Sequence, residues 1–231
     1  MTFIRRAAQR FESRLPGVVS RHSFSTGAHY DPANTHFGLL VANDEHLLDP
    51  GYGFDSHRHR DLEIVTWVLD GTLHHVDGVN GAREVALGAV QYLGAGVGID
   101  HAEHAGAHQP ARFVQMWLQP ETFGAPPHYE QLHASASSWL PLVSGRRLEG
   151  IPLPHTAATL WLGRFRPGTA VELPVAPFVH VFVTRGSVDL EGAGVMGAGD
   201  AARVAQSDGQ RITGIGVAEV LVWEMHTDAM A

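Results

Sequence analysis

Ile64-Val-Thr-Trp-Val-Leu-Asp-Gly71-Thr-Leu73 is matched further along the chain by Val179-His-Val-Phe-Val-Thr-Arg-Gly186-Ser-Val188, with Gly71 and Gly186 offset by 115. Each stretch is a run of β-branched and aromatic residues ending at a glycine turn, the pattern of a strand entering a hairpin. Gly88 and Gly98 correspond in turn to Gly199 and Gly209, at an offset of 111, which a four-residue deletion in the intervening hairpin explains. Two similar β units in tandem are therefore expected. The boundary is expected within residues 119–140, where Pro120, Pro126 and Pro127 cluster.

Outward from this pair, 26 Gly and 13 Pro punctuate short apolar runs at 63–69, 90–93, 112–118, 159–165, 179–184 and 217–225. Short strands separated by turn residues predict an all-β sandwich or barrel. Only 126–136 and 3–13 read as helices, both short. The 231 residues suit one large domain or two small ones, and a hydrophobic fraction of 44% suffices for a core.

Composition excludes several function classes. There is no Cys, so disulfides, thiolate metal sites and Cys nucleophiles are out. A formal net charge of −8 argues against a direct nucleic-acid binder, which needs clustered Lys and Arg. No run approaches the 18 apolar residues of a membrane span. The N-terminus lacks the apolar stretch of a secretory signal, so the cytoplasm is the expected location. Gly-X-Ser-X-Gly, phosphate-loop and dinucleotide glycine patterns are absent.

The chemistry concentrates in two short motifs. Alternate residues of a strand share a face, so His57 and His59 project together with Arg58 opposite, and His101 and Glu103 do the same around the small Ala102. If the two strands are neighbours, three neutral imidazoles and a carboxylate converge. That set suits a first-row divalent ion and leaves room for water or substrate. The glycine-dense Gly94-Ala-Gly96-Val-Gly98 just before His101 predicts a tight, irregular approach. Asp61 and Glu63 share parity with the first pair, so Glu63 is an alternative to Glu103 as ligand, or a partner orienting an imidazole. His74 and His75 follow a hairpin turn and are expected to face solvent. His104 and His108 are candidates for the site mouth, while Trp67, Phe113, Met116 and Trp117 are expected in the core.

The stretch from Gly51 through His57, His59 and Glu63 resembles the first cupin motif, Gly-X5-His-X-His-X3-Glu, and Gly98-X2-His101 resembles the end of the second. More narrowly, the chain resembles the pirin family. Arg21-His-Ser-Phe-Ser25, Tyr30-Asp-Pro32, Asn43-Asp44, His57-X-His59-Arg60, Glu63-Ile-Val-Thr66, Val90-Gln91 and His101-Ala-Glu103 fall in the order expected of pirins, over about residues 20–120. Leu87-Gly-Ala89-Val-Gln and Leu93-Gly-Ala-Gly depart from the usual Pro-Gly-Asp-Val-Gln and Met-Thr-Ala-Gly; neither touches a ligand position.

The resemblance implies a bicupin: two tandem double-stranded β-helix (jelly-roll) barrels with few short helices. Residues 1–120 would form the metal-binding cupin domain, and 121–231 a degenerate cupin without a metal site. It places the ligands on His57, His59, His101 and Glu103, and decides against Glu63. The repeat offsets carry these positions to Glu172, Pro174, Ile212 and Gly214, where no metal set survives. One divalent transition metal is implied, with Fe(II) the expected ion and Zn, Mn, Co, Ni or Cu also suited. The implied activity is that of quercetin 2,3-dioxygenase, which opens a flavonol ring with O2 and releases carbon monoxide, with Glu103 as catalytic base. The alternative is a metal- or redox-sensing module that binds a protein partner. A monomer is expected, since two barrels in one chain already supply the pairing.

Overall fold

The computed structural model describes residues 1–146, 149–155 and 157–229. The strands begin with β1 (Thr2–Arg5), β2 (Phe11–Leu15), β3 (Val18–His22), β4 (Leu40–Leu48), β5 (Gly53–His59) and β6 (Glu63–Asp70). They continue with β7 (Thr72–Asp77), β8 (Gly81–Ala86), β9 (Ala89–Gly94), β10 (Ile99–Ala105), β11 (Ala111–Leu118) and β12 (His128–His133). Next come β13 (Trp139–Ser144), β14 (Ile151–Pro152), β15 (Ala158–Phe165), β16 (Ala170–Glu172) and β17 (Ala176–Arg185). The last are β18 (Ser187–Leu190), β19 (Gly194–Gly197), β20 (Ala201–Ser207), β21 (Arg211–Gly214) and β22 (Ala218–Met225). A three-residue 3-10 turn, Ala7–Gln9, is the only helical element among the described residues.

Two compact units form. One holds Phe11–Thr35 and Leu40–Ala134; the other holds Met1–Arg10, His36–Leu39 and the chain from Ser135 onward. In the first, a seven-stranded sheet β12-β9-β6-β11-β4-β3-β2 packs on a four-stranded sheet β5-β10-β7-β8. Val18, Leu48, Val68 and Phe113 of the large sheet meet Leu73, Val85 and Ala105 of the small one in a shared core. Burying such side chains contributes about 1.5–3 kcal/mol each. The second unit repeats the design, with sheets β1-β20-β17-β22-β15-β13-β14 and β16-β21-β18-β19. Its core joins Val179, Val181 and Val183 of β17 to Val188, Met196, Ile212 and Val220. β6 and β17 hold the same central place in their sheets, as do β10 and β21. The two tandem β units expected from the repeat form, as the pair of all-β jelly-roll barrels that the resemblance implies.

The repeated hairpin glycines have a structural reason. Gly71 and Gly186 both adopt φ 70°. A side chain at Gly71 would collide with the Pro110 carbonyl oxygen, and one at Gly186 with that of Val217. Only glycine combines that backbone with so close an approach.

Both expected helices are absent. Residues 126–136 contain β12, paired antiparallel to β9, and residues 3–13 supply β1, paired to β20, then β2. A short isolated helix is marginal, whereas pairing with β12 and β1 satisfies the backbone groups that β9 and β20 would otherwise leave bare at the sheet edges. The same pairings move the unit boundaries away from residue 120. β12 stays with the first barrel, and the N-terminal ten residues join the second. No helix among the described residues is long and apolar enough to cross a membrane.

Candidate metal centre

The two motifs lie on adjacent strands of the small sheet in the first unit. β5 exposes Ser56 and Arg58 and half-buries His57 and His59. β10 alternates buried Ile99, His101, Glu103 and Ala105 with more exposed Asp100, Ala102 and His104. The register places His101 beside His57 on one flank and Asp77 of β7 on the other. A β-bulge between His101 and Glu103 shifts the pairing, so Glu103 stands beside Phe54 and His75. The glycine run sets this approach. Gly96 has φ 46° with the Ala125 carbonyl oxygen where a side chain would be, and Gly98 has φ 130° against the Arg58 guanidinium.

Two overlapping groups of ligand atoms result, one from His57, His59 and His101 and one from His75, His101 and Glu103, each spanning at most 4.8 Å. Within the first, the Nε2 atoms of His57 and His59 are 3.0 Å apart. Nδ1–H of His57 donates to the Asp55 carbonyl at 2.8 Å, which leaves a lone pair on Nε2 of the neutral ring. His101 Nε2 is buried with no hydrogen-bond partner. Burial, followed by His101 and His57 nearby, holds His59 down at about 4. Burial likewise lowers His101. Three converging imidazole nitrogens, one of them buried without a partner, fit a bound divalent cation.

Glu103 is held from the opposite sheet. Gln91 of β9, Thr66 of β6 and Gln115 of β11 lie in one cross-strand row, all buried. Gln91 Nε2 donates to Glu103 Oε1 at 3.4 Å, and Gln115 Nε2 donates to Oε2 at 2.8 Å. Burial opposes ionisation of Glu103. Nearby His75, the charge of His101 and the Gln115 amide outweigh it and bring the carboxyl to about 2. Glu103 is a firmly held anion.

Other expected residues fall differently. His75 does not face solvent: it is fully buried, with Nε2–H donating to Asp77 Oδ2 at 2.8 Å. Burial works against its protonation, but the neighbouring Glu103 and Asp77 carboxylates prevail and raise its pKa. Its signal was the strand parity of Leu73, His75 and Asp77, all buried in β7. Glu63 is buried but belongs to neither group; it accepts the Tyr92 hydroxyl at 2.6 Å, and burial raises its pKa. Asp61 accepts the Gly124 N–H at 2.7 Å instead of facing the histidines. His104 sits 3.4 Å from Asp55, and His108 is exposed in a turn. Trp67, Phe113 and Met116 are core. Trp117 is only half-buried; its ring stands edge-on to His59 at 5.0 Å and forms a wall of the site. Phe54 and Tyr129 are further aromatic neighbours, 6.3 Å from His57 and 5.2 Å from His75. In the second unit, Ile212 occupies the apolar core of the strand equivalent to β10.

The chain has relatives among known proteins. The profile of the pirin family matches residues 4–118, and that of the quercetinase C-terminal cupin domain matches residues 142–225. A Mycobacterium tuberculosis relative, provisionally named a quercetin 2,3-dioxygenase, is 43% identical over 96% of this chain and 94% of its own. The quercetin 2,3-dioxygenase of Escherichia coli K12 is 35% identical over 57% of each chain. Among solved structures, bacterial pirin YhhW from Escherichia coli, in complex with nickel(II), superposes with a TM-score of 0.93 at 26% identity. That match covers 98% of this chain and 100% of the other. With two cupin barrels, this repeat and these relatives, the chain belongs to the pirin family.

Proposed function

We propose that this chain is a metal-dependent dioxygenase of the quercetin 2,3-dioxygenase type, opening the heterocycle of a flavonol with O2. The observation that carries the reading is the meeting of the His57, His59 and His101 nitrogens at one place, with His101 Nε2 buried and unpartnered and Glu103 in the overlapping group that shares His101. His57, His59 and His101 hold the ion through nitrogen, and Glu103 adds the charge that a divalent cation needs. Fe(II) is the proposed ion; the nickel(II) complex of YhhW supports a first-row divalent cation in this fold. Such an ion supplies Lewis acidity toward a phenolic oxygen and a redox partner for dioxygen.

The protein's own groups do the rest. Phe54, Trp117 and Tyr129 offer flat apolar surfaces beside the histidines, suited to an aromatic substrate. Glu103 accepts the proton of the flavonol 3-hydroxyl. A carboxyl at about 2 is a weak base, so this transfer needs a hydroxyl made acidic by the neighbouring cation. Gln91 and Gln115 keep the carboxylate aimed while it does so.

The test is oxygen uptake on adding quercetin to protein loaded separately with Fe, Mn, Co, Ni or Cu. Uptake with at least one ion, lost in His101→Ala, is expected. No uptake with any of the five overturns the dioxygenase reading.

A further inference from the structure

We propose that Asp77 and His75 form a buried relay that fixes which nitrogen of His101 carries the proton, and thereby set the metal affinity of the centre. The inference rests on the metal-holding reading above and concerns two residues outside the expected ligand set.

Both side chains are completely buried. Asp77 is immobilised by the turn after β7: its Oδ1 accepts the backbone N–H groups of Val79 and Asn80, and Asn80 Nδ2 bonds to both of its oxygens. Its Oδ2, 2.8 Å from His75 Nε2, is an acceptor and demands a proton on that nitrogen. With its proton on Nε2, the neutral His75 ring leaves Nδ1 bare. That atom faces Nδ1 of His101 at 3.4 Å. The proton between them belongs to His101, and His101 is left with its lone pair on Nε2, the buried atom that no protein group satisfies. Glu103 lies farther from His75 Nδ1, at 3.8 Å, and is already served by two glutamine amides. The chain Asp77–His75–His101 thus points a lone pair at the cation, as outer hydrogen bonds do for metal-bound histidines in general.

Asp77→Asn tests the direction of the relay. Two backbone N–H groups require the amide oxygen of the new side chain, so its NH2 faces His75 Nε2, donor against donor. His75 must then reverse, with its proton on Nδ1, and His101 is driven to carry its own on Nε2. Zinc and cobalt affinity, measured by competition with a chromophoric chelator, should fall roughly 10- to 100-fold. Long-range 1H–15N spectra of the zinc-loaded proteins should show His75 protonated on Nε2 in the wild type and on Nδ1 in the variant. His75→Leu should lose affinity similarly. His75→Asn, which presents a carbonyl oxygen to His101 Nδ1–H, should stay within a few-fold of wild type, and this pair carries the comparison if Asp77→Asn does not fold.

Wild-type affinity with an unchanged His75 proton position in Asp77→Asn overturns the relay. So does a stoichiometry of two ions per wild-type chain with one lost in His75→Asn, because His75 is then itself a ligand. A wild type that takes up no zinc instead overturns the metal reading, and the relay is then decided by the same spectra recorded without metal.

Discussion

Gln115 donates from Nε2 to Oε2 of Glu103 at 2.8 Å, and its amide has only one way to face. Its Oε1 accepts the indole N–H of Trp117 at 3.0 Å, so the amide nitrogen must point at the carboxylate. Trp117 in turn stands edge-on to His59. One wall of the site therefore orients both the carboxylate and an imidazole.

Gln115→Leu removes this donor while preserving apolar packing. Glu103 loses a group that lowers its pKa and becomes less firmly anionic. Metal affinity is expected to fall roughly 10-fold, as for other partners behind metal ligands. Titration calorimetry with Co(II) on wild type and variant checks it; equal affinities would show that Gln91 alone suffices.

Glu103→Gln separates charge from shape. The pinned Gln115 amide takes the new side chain's oxygen, so its NH2 faces Gln91, which must flip. Retained but weakened metal binding with turnover reduced about 100-fold or more is expected, the usual range for loss of a proton acceptor. Metal content and kcat measured on the same preparation decide the matter. Wild-type turnover would remove Glu103 as the base.

The second barrel carries its own pH sensitivity. His180 is fully buried, and burial, with the charges of Arg203 and Arg10, holds its pKa at about 3. It is neutral when folded but takes up a proton near pH 6.5 when unfolded, so stability is lost as pH falls from 6.5 toward 3. By pH 4.5 this one group costs about 3 kcal/mol, two units below the unfolded value. Urea denaturation of the wild type and His180→Leu at pH 7 and pH 4.5 should show a smaller acid loss in the variant. Parallel losses would contradict it.

Gly96→Ala combines a left-handed backbone with a collision against the Ala125 carbonyl oxygen. A destabilisation of about 2 kcal/mol or more is expected. The loop that delivers β10 should shift with it, so a fall in melting temperature should accompany weaker metal binding. A melting temperature equal to wild type would show that the loop relaxes freely.

Much of this was legible beforehand. The run at 64–71 and its echo at 179–186 are local patterns, and both became the central strands of equivalent sheets. His57 with His59 and His101 with Glu103 share faces because side chains alternate along any strand, whatever the strand packs against. The same rule held for His75, two residues from buried Leu73 and two from buried Asp77; placing it in solvent gave a nearby turn more weight than parity. The helices expected at 126–136 and 3–13 gave way because both segments found sheet edges distant in the chain, at β9 and β20.

Strand, turn and face are properties of a few consecutive residues, set by backbone geometry and side-chain alternation, and the sequence by itself determined them here. Which strands became neighbours was decided by tertiary structure, because pairing His101 with His57, 44 positions away, depends on burying a whole barrel core. That pairing left His101 Nε2 without a protein partner, brought His75 and Asp77 behind it, and set Gln91 and Gln115 against Glu103. Hydrogen bonds and burial are non-local, so the candidate ligands could be read along the chain, and the groups that orient and charge them only across it.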